Sequence, residues 1–307
     1  MQILRTERLS LRHFDAQDDA DVAFQLGLLN EPSWIAGIRD AGVRTHEEAR
    51  AWVQSRLVDP CWQYGHGFWL VQRRDDGERL GMCGIFKRDN LPLPDLGYGF
   101  AAAHQGQGYA REAAQACLDY AVQVLGRHEL LAITSPSNAA SNGLLVRLGF
   151  AREGLEDDPS YGPSQHWRWC SPQAAPQDDA AQIDDLVRRF FAAFTNRDGA
   201  IPTLAALPAL FMPDAQISAP GRAPCSVREF IEPRAALLSS GRLLGFAEWE
   251  LKHQTHIEGD TARRELRYEK SGRLDGQPYG GQGCKTLRLQ RDSEGRWRIA
   301  ALSWLDD

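Results

Sequence analysis

The run Ala103-His-Gln-Gly-Gln-Gly-Tyr-Ala110 carries the clearest chemical pattern in the chain. Its two glycines let the backbone approach a ligand and reach positive φ. The helix predicted from Ala110 adds unpaired N–H groups and the positive end of its dipole. Together these make a cradle for a diphosphate. The loop has no Gly-Lys-Ser/Thr ending, so a metal-chelated nucleoside triphosphate is not its obvious ligand. It also lacks the third glycine and the distant acidic residue of a dinucleotide fingerprint.

Other patterns point away from chemistry. His253 and His256 lie three apart on a predicted strand, hence on opposite faces, and cannot share one metal ion without a bulge. Gly272–Gly283 holds five glycines but precedes no helix, so it is expected to be a hairpin connection. Six cysteines (Cys61, Cys83, Cys117, Cys170, Cys225 and Cys284) show no CxxC spacing, and are expected to be reduced, mostly buried thiols. No metal is expected.

These residues belong to a chain of 307, about two ordinary domains. With 43% hydrophobic and 25% charged residues it can build cores and stay in water. A net charge of −6 offers no basic face for nucleic acid. No run approaches the ~18–20 apolar residues of a membrane span, and the first residues lack a signal peptide's apolar stretch. A cytoplasmic protein is the expectation, with neither nucleic acid nor membrane as partner. Residues 171–181, with two prolines and no large apolar side chain, are expected to be a linker between domains at 1–170 and 182–307. The acidity sits mostly in the first half, where 17 Lys/Arg face 22 Asp/Glu over residues 1–173.

The first half alternates element types. A short alternating run covers Ile3–Arg12, Asp15-x-x-Asp18 starts a helix carrying Val22, Leu26 and Leu29, and Thr45-His-Glu-Glu48 is a capping box. Aromatic and branched runs at 68–71, 80–86 and 96–100 predict an antiparallel meander. An apolar stripe from Ala110 to Leu125, including Cys117, then precedes a buried-type strand at 130–134. Strand, helix, strand implies a parallel crossover. In the second half, Ile183 to Phe194 form one helical face, a helix is expected near 227–238, and strands follow at 246–257, 262–270, 284–290 and 297–304. Helices followed by a long antiparallel sheet predict an α+β cone.

The motif Gln105-x-x-Gly108-x-Ala110, opening a helix after a strand, resembles the acetyl-CoA signature of the GNAT N-acetyltransferases. Thr6-Glu-Arg-Leu-Ser-Leu-Arg12, Asp95-Leu-Gly-Tyr-Gly-Phe100, Ala110-Arg-Glu-Ala-Ala114, Asn138-Ala-Ala-Ser141 and Leu148-Gly-Phe150 with Glu153-Gly154 follow in family order, nearest the branch of ribosomal-protein N-terminal acetyltransferases. The resemblance covers residues 1–170 and implies an α/β fold, a mixed sheet flanked by helices. It implies that acetyl-CoA is the cosubstrate, with its diphosphate held by the backbone N–H groups of Gln105, Gly106, Gln107, Gly108, Tyr109 and Ala110. Phe100, Ala101 and Ala102 would pair with the pantetheine amides, and an N–H around Phe100–Ala101 would serve the oxyanion. Asn138 would bond the pantetheine arm and Ser141 would supply a proton to the leaving thiolate, although both residue types also simply cap helices.

An amine nucleophile must be neutral, whereas an α-amino group titrates near ~8 and a lysine near ~10.4. Asp95 matches the family's acidic position as a base for that proton. No covalent enzyme intermediate is required. His104 departs from the family pattern at a place that touches cofactor or substrate, or only solvent. The acceptor stays open among protein N-termini, amino acids, antibiotics and polyamines, with the net charge mildly favouring a cationic one.

The second half, through Phe211-Met-Pro-Asp-Ala215, Gly295-Arg-Trp297 and the ending Trp304-Leu-Asp-Asp307, resembles nuclear-transport-factor-2-like (SnoaL-like) domains. Such domains imply homodimer contacts through the sheet or a small-ligand pocket, here with Trp249, His253, Arg264, Tyr268 and Trp297 as candidate lining. The rival reading for the whole chain is a non-catalytic sensor that binds acyl-CoA or a small ligand without transfer.

Overall fold

A computed structural model describes residues 2–158, 162–173, 175 and 178–307. Its contacts divide the chain into two compact units, residues 2–123 with 127–174, and residues 175–307 with 124–126. Three of the residues in the expected linker, 174, 176 and 177, lie outside the described residues.

The first unit is an eight-stranded mixed sheet. Its strands are β1 (Gln2–Arg5), β2 (Leu9–Arg12), β3 (Phe68–Arg73), β4 (Arg79–Phe86), β5 (Asp95–Phe100), β6 (Glu129–Thr134), β7 (Ala151–Asp158) and β8 (Gly162–Cys170), in the order β1-β2-β3-β4-β5-β6-β8-β7. The helices are α1 (Asp19–Leu29), α2 (Pro32–Gly37), α3 (His46–Val53), α4 (Asp59–Tyr64), α5 (Tyr109–Gln123) and α6 (Ala139–Arg147). The alternating run at the start is two strands, because Thr6 Oγ1 accepts the Leu9 N–H and turns the chain back as a hairpin. Thr45 and Glu48 close the expected capping box. Beyond α3 a π-helical turn at 54–58 carries Leu57 inward before α4.

Each sheet face has its own cover. Leu70 and Met82 pack with Val22, Leu28, Trp34, Ala49 and Val53 beneath α1–α3. On the opposite face Cys83 meets Cys117 of α5, their sulfurs 3.6 Å apart. Cys117 is fully buried, as expected of its stripe. Cys170 and Cys284 are exposed and Cys225 is half-buried, so only half of the cysteines are core residues.

The second unit places α7 (Asp179–Ala192) and α8 (Val227–Ser239) with a five-stranded sheet. The strands are β9 (Phe211–Ser218), β10 (Leu243–Glu258), β11 (Thr261–Leu274), β12 (Gln277–Arg291) and β13 (Trp297–Asp306), in the order β10-β11-β12-β13-β9, with only β9 parallel to its neighbour. Helix α7 begins inside the expected linker, because the Asp178 side chain accepts the Ala181 N–H at 2.7 Å and caps it. The glycine-rich stretch is a hairpin, but most of it is strand: only Asp275 and Gly276 turn, and Gly280, Gly281 and Gly283 pair in register with β11.

Candidate active site

Strands β5 and β6 run parallel and meet at one register pair, Asp95 with Leu131. Beyond it they diverge and open a cleft of about 940 Å³. Ala101 donates its N–H to Leu80 O at 3.0 Å, so Gly97, Gly99 and Ala101 bond toward β4. The alternation turns the N–H and C=O groups of Tyr98 and Phe100 toward the gap. This corrects one expectation: the Ala101 N–H is spent on β4. The Ala102 N–H goes to the Glu31 carboxylate at 2.8 Å, and the Phe100 carbonyl takes the Gln105 amide at 2.9 Å.

At the mouth of the gap the loop turns through Gly106 (φ 74°) and Gly108 (φ 84°) into α5. The first bond of α5 runs from Glu112 N to Gly108 O. The Gln105 N–H is used by Ala102 O in a 3-10 turn, a second correction. The N–H groups of Gly106 through Arg111 reach no backbone acceptor outside the helix among the described residues. The β1–β2 hairpin holds this turn. Arg8 pairs with Glu112 at 2.7 Å, donates to Gln107 O at 3.1 Å and lies over the Tyr109 ring. Thr6 bonds Glu112 as well, and these contacts hold the Glu112 carboxyl below its ordinary pKa against partial burial. His104 lines the cleft, 3.4 Å from Glu78.

Across the gap, Asn138 caps α6 by accepting the Ser141 N–H at 3.1 Å, so the capping role is real; its Nδ2 meets no acceptor among the described residues. Asn142, buried behind it, donates to the Ser135 and Pro136 carbonyls and takes the Thr134 hydroxyl, fixing the turn from β6. Ser141 Oγ stands 2.8 Å from the Tyr98 hydroxyl. Burial pushes that phenol up to about 12 against the Ser141 bond, so it stays protonated. Tyr98 was legible only as an aromatic strand residue; its place opposite Cys83, on the α5 and α6 face, makes it part of the site.

Asp95 points to the other face. Its cross-strand partner Phe86 stacks on Phe68 at 5.3 Å, and it pairs with Arg88 at 2.9 Å. Burial raises its pKa although Arg88 opposes the shift. A Cβ at Gly97 would fall 2.5 Å from the Phe68 ring and one at Gly99 2.2 Å from Trp34. The two glycines therefore let an aromatic wall lie on the strand. The cleft thus joins a donor-rich mouth, a hydroxyl pair on one face and a carboxylate beside aromatic rings on the other.

Comparisons with known proteins agree with this geometry. An acetyltransferase (GNAT) domain family matches residues 8–151. YkkB of Bacillus subtilis, an uncharacterized protein, is 34% identical over 149 residues, 48% of this chain and 83% of that one. The chain belongs to the GNAT acetyltransferase family. An uncharacterized N-acetyltransferase, p20 of Bacillus licheniformis, is 30% identical over 161 residues, 52% of this chain and 87% of its own. The ribosomal protein uS5-alanine N-acetyltransferase of Escherichia coli is 38% identical over 86 residues, 27% of this chain and 44% of that enzyme. This N-acetyltransferase therefore carries its family match, apart from residues 124–126, on the unit that holds the cleft. Among its described residues no group of three metal-ligating side chains forms, and no helix is long and apolar enough to cross a membrane.

A second cavity, in the second unit, holds about 120 Å³. Of its expected lining only Tyr268 reaches it. Trp249 lies beneath the Arg197 guanidinium, and the buried Arg264 is bound by Glu250 and Asp184 with His253 beside it. Trp297 is covered by Arg291. The strand register explains the miss at Arg264: it shares a face of β11 with Tyr268, but four residues set the two about 13 Å apart along the strand.

Proposed function

We propose that this acetyltransferase moves the acetyl group of acetyl-CoA to a primary amine, a protein N-terminus or a small amine, by direct attack in a ternary complex. The observation that carries the reading is the gap between β5 and β6, with free backbone groups on one wall and the turn of Gly106–Arg111 at its mouth. The fit is chemical: converging N–H donors at a helix start suit a diphosphate, and glycines with positive φ leave no Cβ in the cradle.

When bound, acetyl-CoA supplies the activated acyl carbon and a thiolate leaving group. Gly106 through Ala110 hold the diphosphate, while Gln105, with its N–H on Ala102 O and its side-chain amide on Phe100 O, braces the turn. Tyr98 offers the strand-edge N–H and C=O that the pantetheine arm needs, and Asn138 Nδ2 bonds its carbonyl. The Phe100 N–H, aimed into the gap, receives the negative charge that gathers on the thioester oxygen. Asp95, on the acceptor face, takes the proton the amine loses. Ser141 delivers one to the departing sulfur and regains one from solvent in the cleft, while Tyr98, kept protonated by burial, holds the Ser141 hydroxyl in place. The uS5-alanine specificity of the Escherichia coli relative makes peptide N-termini the first acceptors to try. The second unit, whose element order suits a nuclear-transport-factor-2-like cone, stands outside the transfer chemistry and serves dimerisation or small-ligand binding.

The test is thiol release from acetyl-CoA against peptides and small amines. Ser141→Ala is expected to lower kcat about 10²-fold with KM for acetyl-CoA nearly unchanged. Gly108→Trp is expected to abolish saturation by acetyl-CoA. A Gly108→Trp protein with wild-type turnover refutes the cradle.

A further inference from the structure

The cavity of the second unit is walled by Phe190, Phe194, Phe230, Tyr268 and Trp304, yet three cations line it: Arg234, Lys270 and Lys285. Two of them are neutralised. Lys285 pairs with Glu248 at 2.6 Å and lies over the Tyr268 ring, and Lys270 pairs with Asp306 at 2.7 Å. Arg234 is different. It donates one N–H to the Phe230 carbonyl at 2.8 Å and stacks on Phe230 at 3.8 Å and Trp304 at 5.5 Å, but meets no carboxylate among the described residues. Burial works against its charge and against that of Lys285.

The guanidinium lies over the Phe230 ring with Trp304 at its side, and its remaining donors form a planar fork, the geometry that takes a carboxylate on two parallel bonds. The surrounding rings suit a flat apolar body. The volume, about 120 Å³, is of the order that holds benzene.

We propose that this cavity binds a small aromatic monocarboxylate, its ring among Phe194, Phe230 and Trp304 and its carboxylate on Arg234. The site rests on the ligand-binding half of the reading given for the second unit and adds the class of ligand. One negative charge balances the one cation left without a counter-charge. A dianion would exceed that balance.

The experiment is calorimetric titration of the full chain with benzoate, benzyl alcohol and toluene. Benzoate is expected to bind saturably and roughly tenfold or more tighter than benzyl alcohol. Arg234→Gln is expected to erase that difference, and Leu238→Trp, which fills the cavity from α8, to weaken both. If Arg234→Gln fails to fold, Arg234→Lys serves, since losing the planar fork weakens benzoate while sparing benzyl alcohol. Equal affinities for benzoate and benzyl alcohol overturn the carboxylate class and leave small-ligand binding standing. No saturable binding by any of the three overturns both. A benzoate preference that survives in Arg234→Gln refutes the role of Arg234.

Discussion

Asp95 sits at the closed end of the gap, where the last shared register pair of β5 and β6 buries it against Arg88. Desolvation favours its protonated form, so its contribution to folding is present below the unfolded pKa and is lost as pH rises through the higher folded one. Its proposed use as a base has the complementary sign: activity would need the carboxylate and is expected to fall as pH drops through the same raised pKa. The acid limb of kcat/KM is therefore expected above the ordinary aspartate value near ~3.9, and Asp95→Asn is expected to remove that limb and lower kcat/KM about 10²-fold. A pH profile of both proteins checks this, and an unchanged acid limb in Asp95→Asn assigns the proton to another group. At this scale the loop was legible because its chemistry is written in glycines and backbone. The partner of Ser141 was not. Tyr98 lies 43 positions away in a strand, and only the crossover of α5 brings the two hydroxyls together.

The elements around the gap are held by ion pairs that periodicity does not reveal. Asp21 of α1 is fully buried and accepts both Nη atoms of Arg12 on β2 (2.6 and 2.7 Å), Arg79 Nε on β4 (2.8 Å) and the Asp15 N–H (3.0 Å). Burial alone would raise its pKa, but the two arginines win and lower it. Stability from this carboxylate is thus present above the ordinary aspartate pKa and lost as pH falls through its own lower one. Asp21→Ala strips Arg12 of its ion pair and leaves Arg79 only that with Asp18, and is expected to cost about 3–5 kcal/mol in chemical denaturation at neutral pH. A cost under about 1 kcal/mol, the range of exposed pairs, would show that the node does not clamp α1 to the sheet. In the sequence Asp15-x-x-Asp18 marks the helix start and no role is singled out for Asp21, since nothing in its spacing distinguishes it from the exposed Asp19. The crossover itself was legible, since strand, helix, strand permits few topologies. The gap was not, because divergence of β5 from β6 depends on which backbone groups β4 has already taken.

Across the whole molecule the two halves separate in kind as well as in contacts. Family motifs mark the first unit at backbone-dependent positions, so its fold and cleft follow from a single chain. The second unit's motifs are turns and core aromatics, which specify a sheet and helices but not which side chains enter the interior. Hence the expected lining failed at Trp249, His253, Arg264 and Trp297, while Glu248 and Lys285 were brought in by strand register and Arg234 by helix α8. The central claim concerns the first unit: transfer passes directly from thioester to amine on a scaffold that binds both. The decisive measurement is initial-rate kinetics of the full chain with acetyl-CoA and its best peptide amine both varied, alongside intact-mass analysis of enzyme given acetyl-CoA alone. Intersecting double-reciprocal lines and an unmodified chain are expected. Parallel lines with an acetyl adduct on the chain would contradict direct attack, and acetyl-CoA binding without transfer to any amine would contradict the transferase.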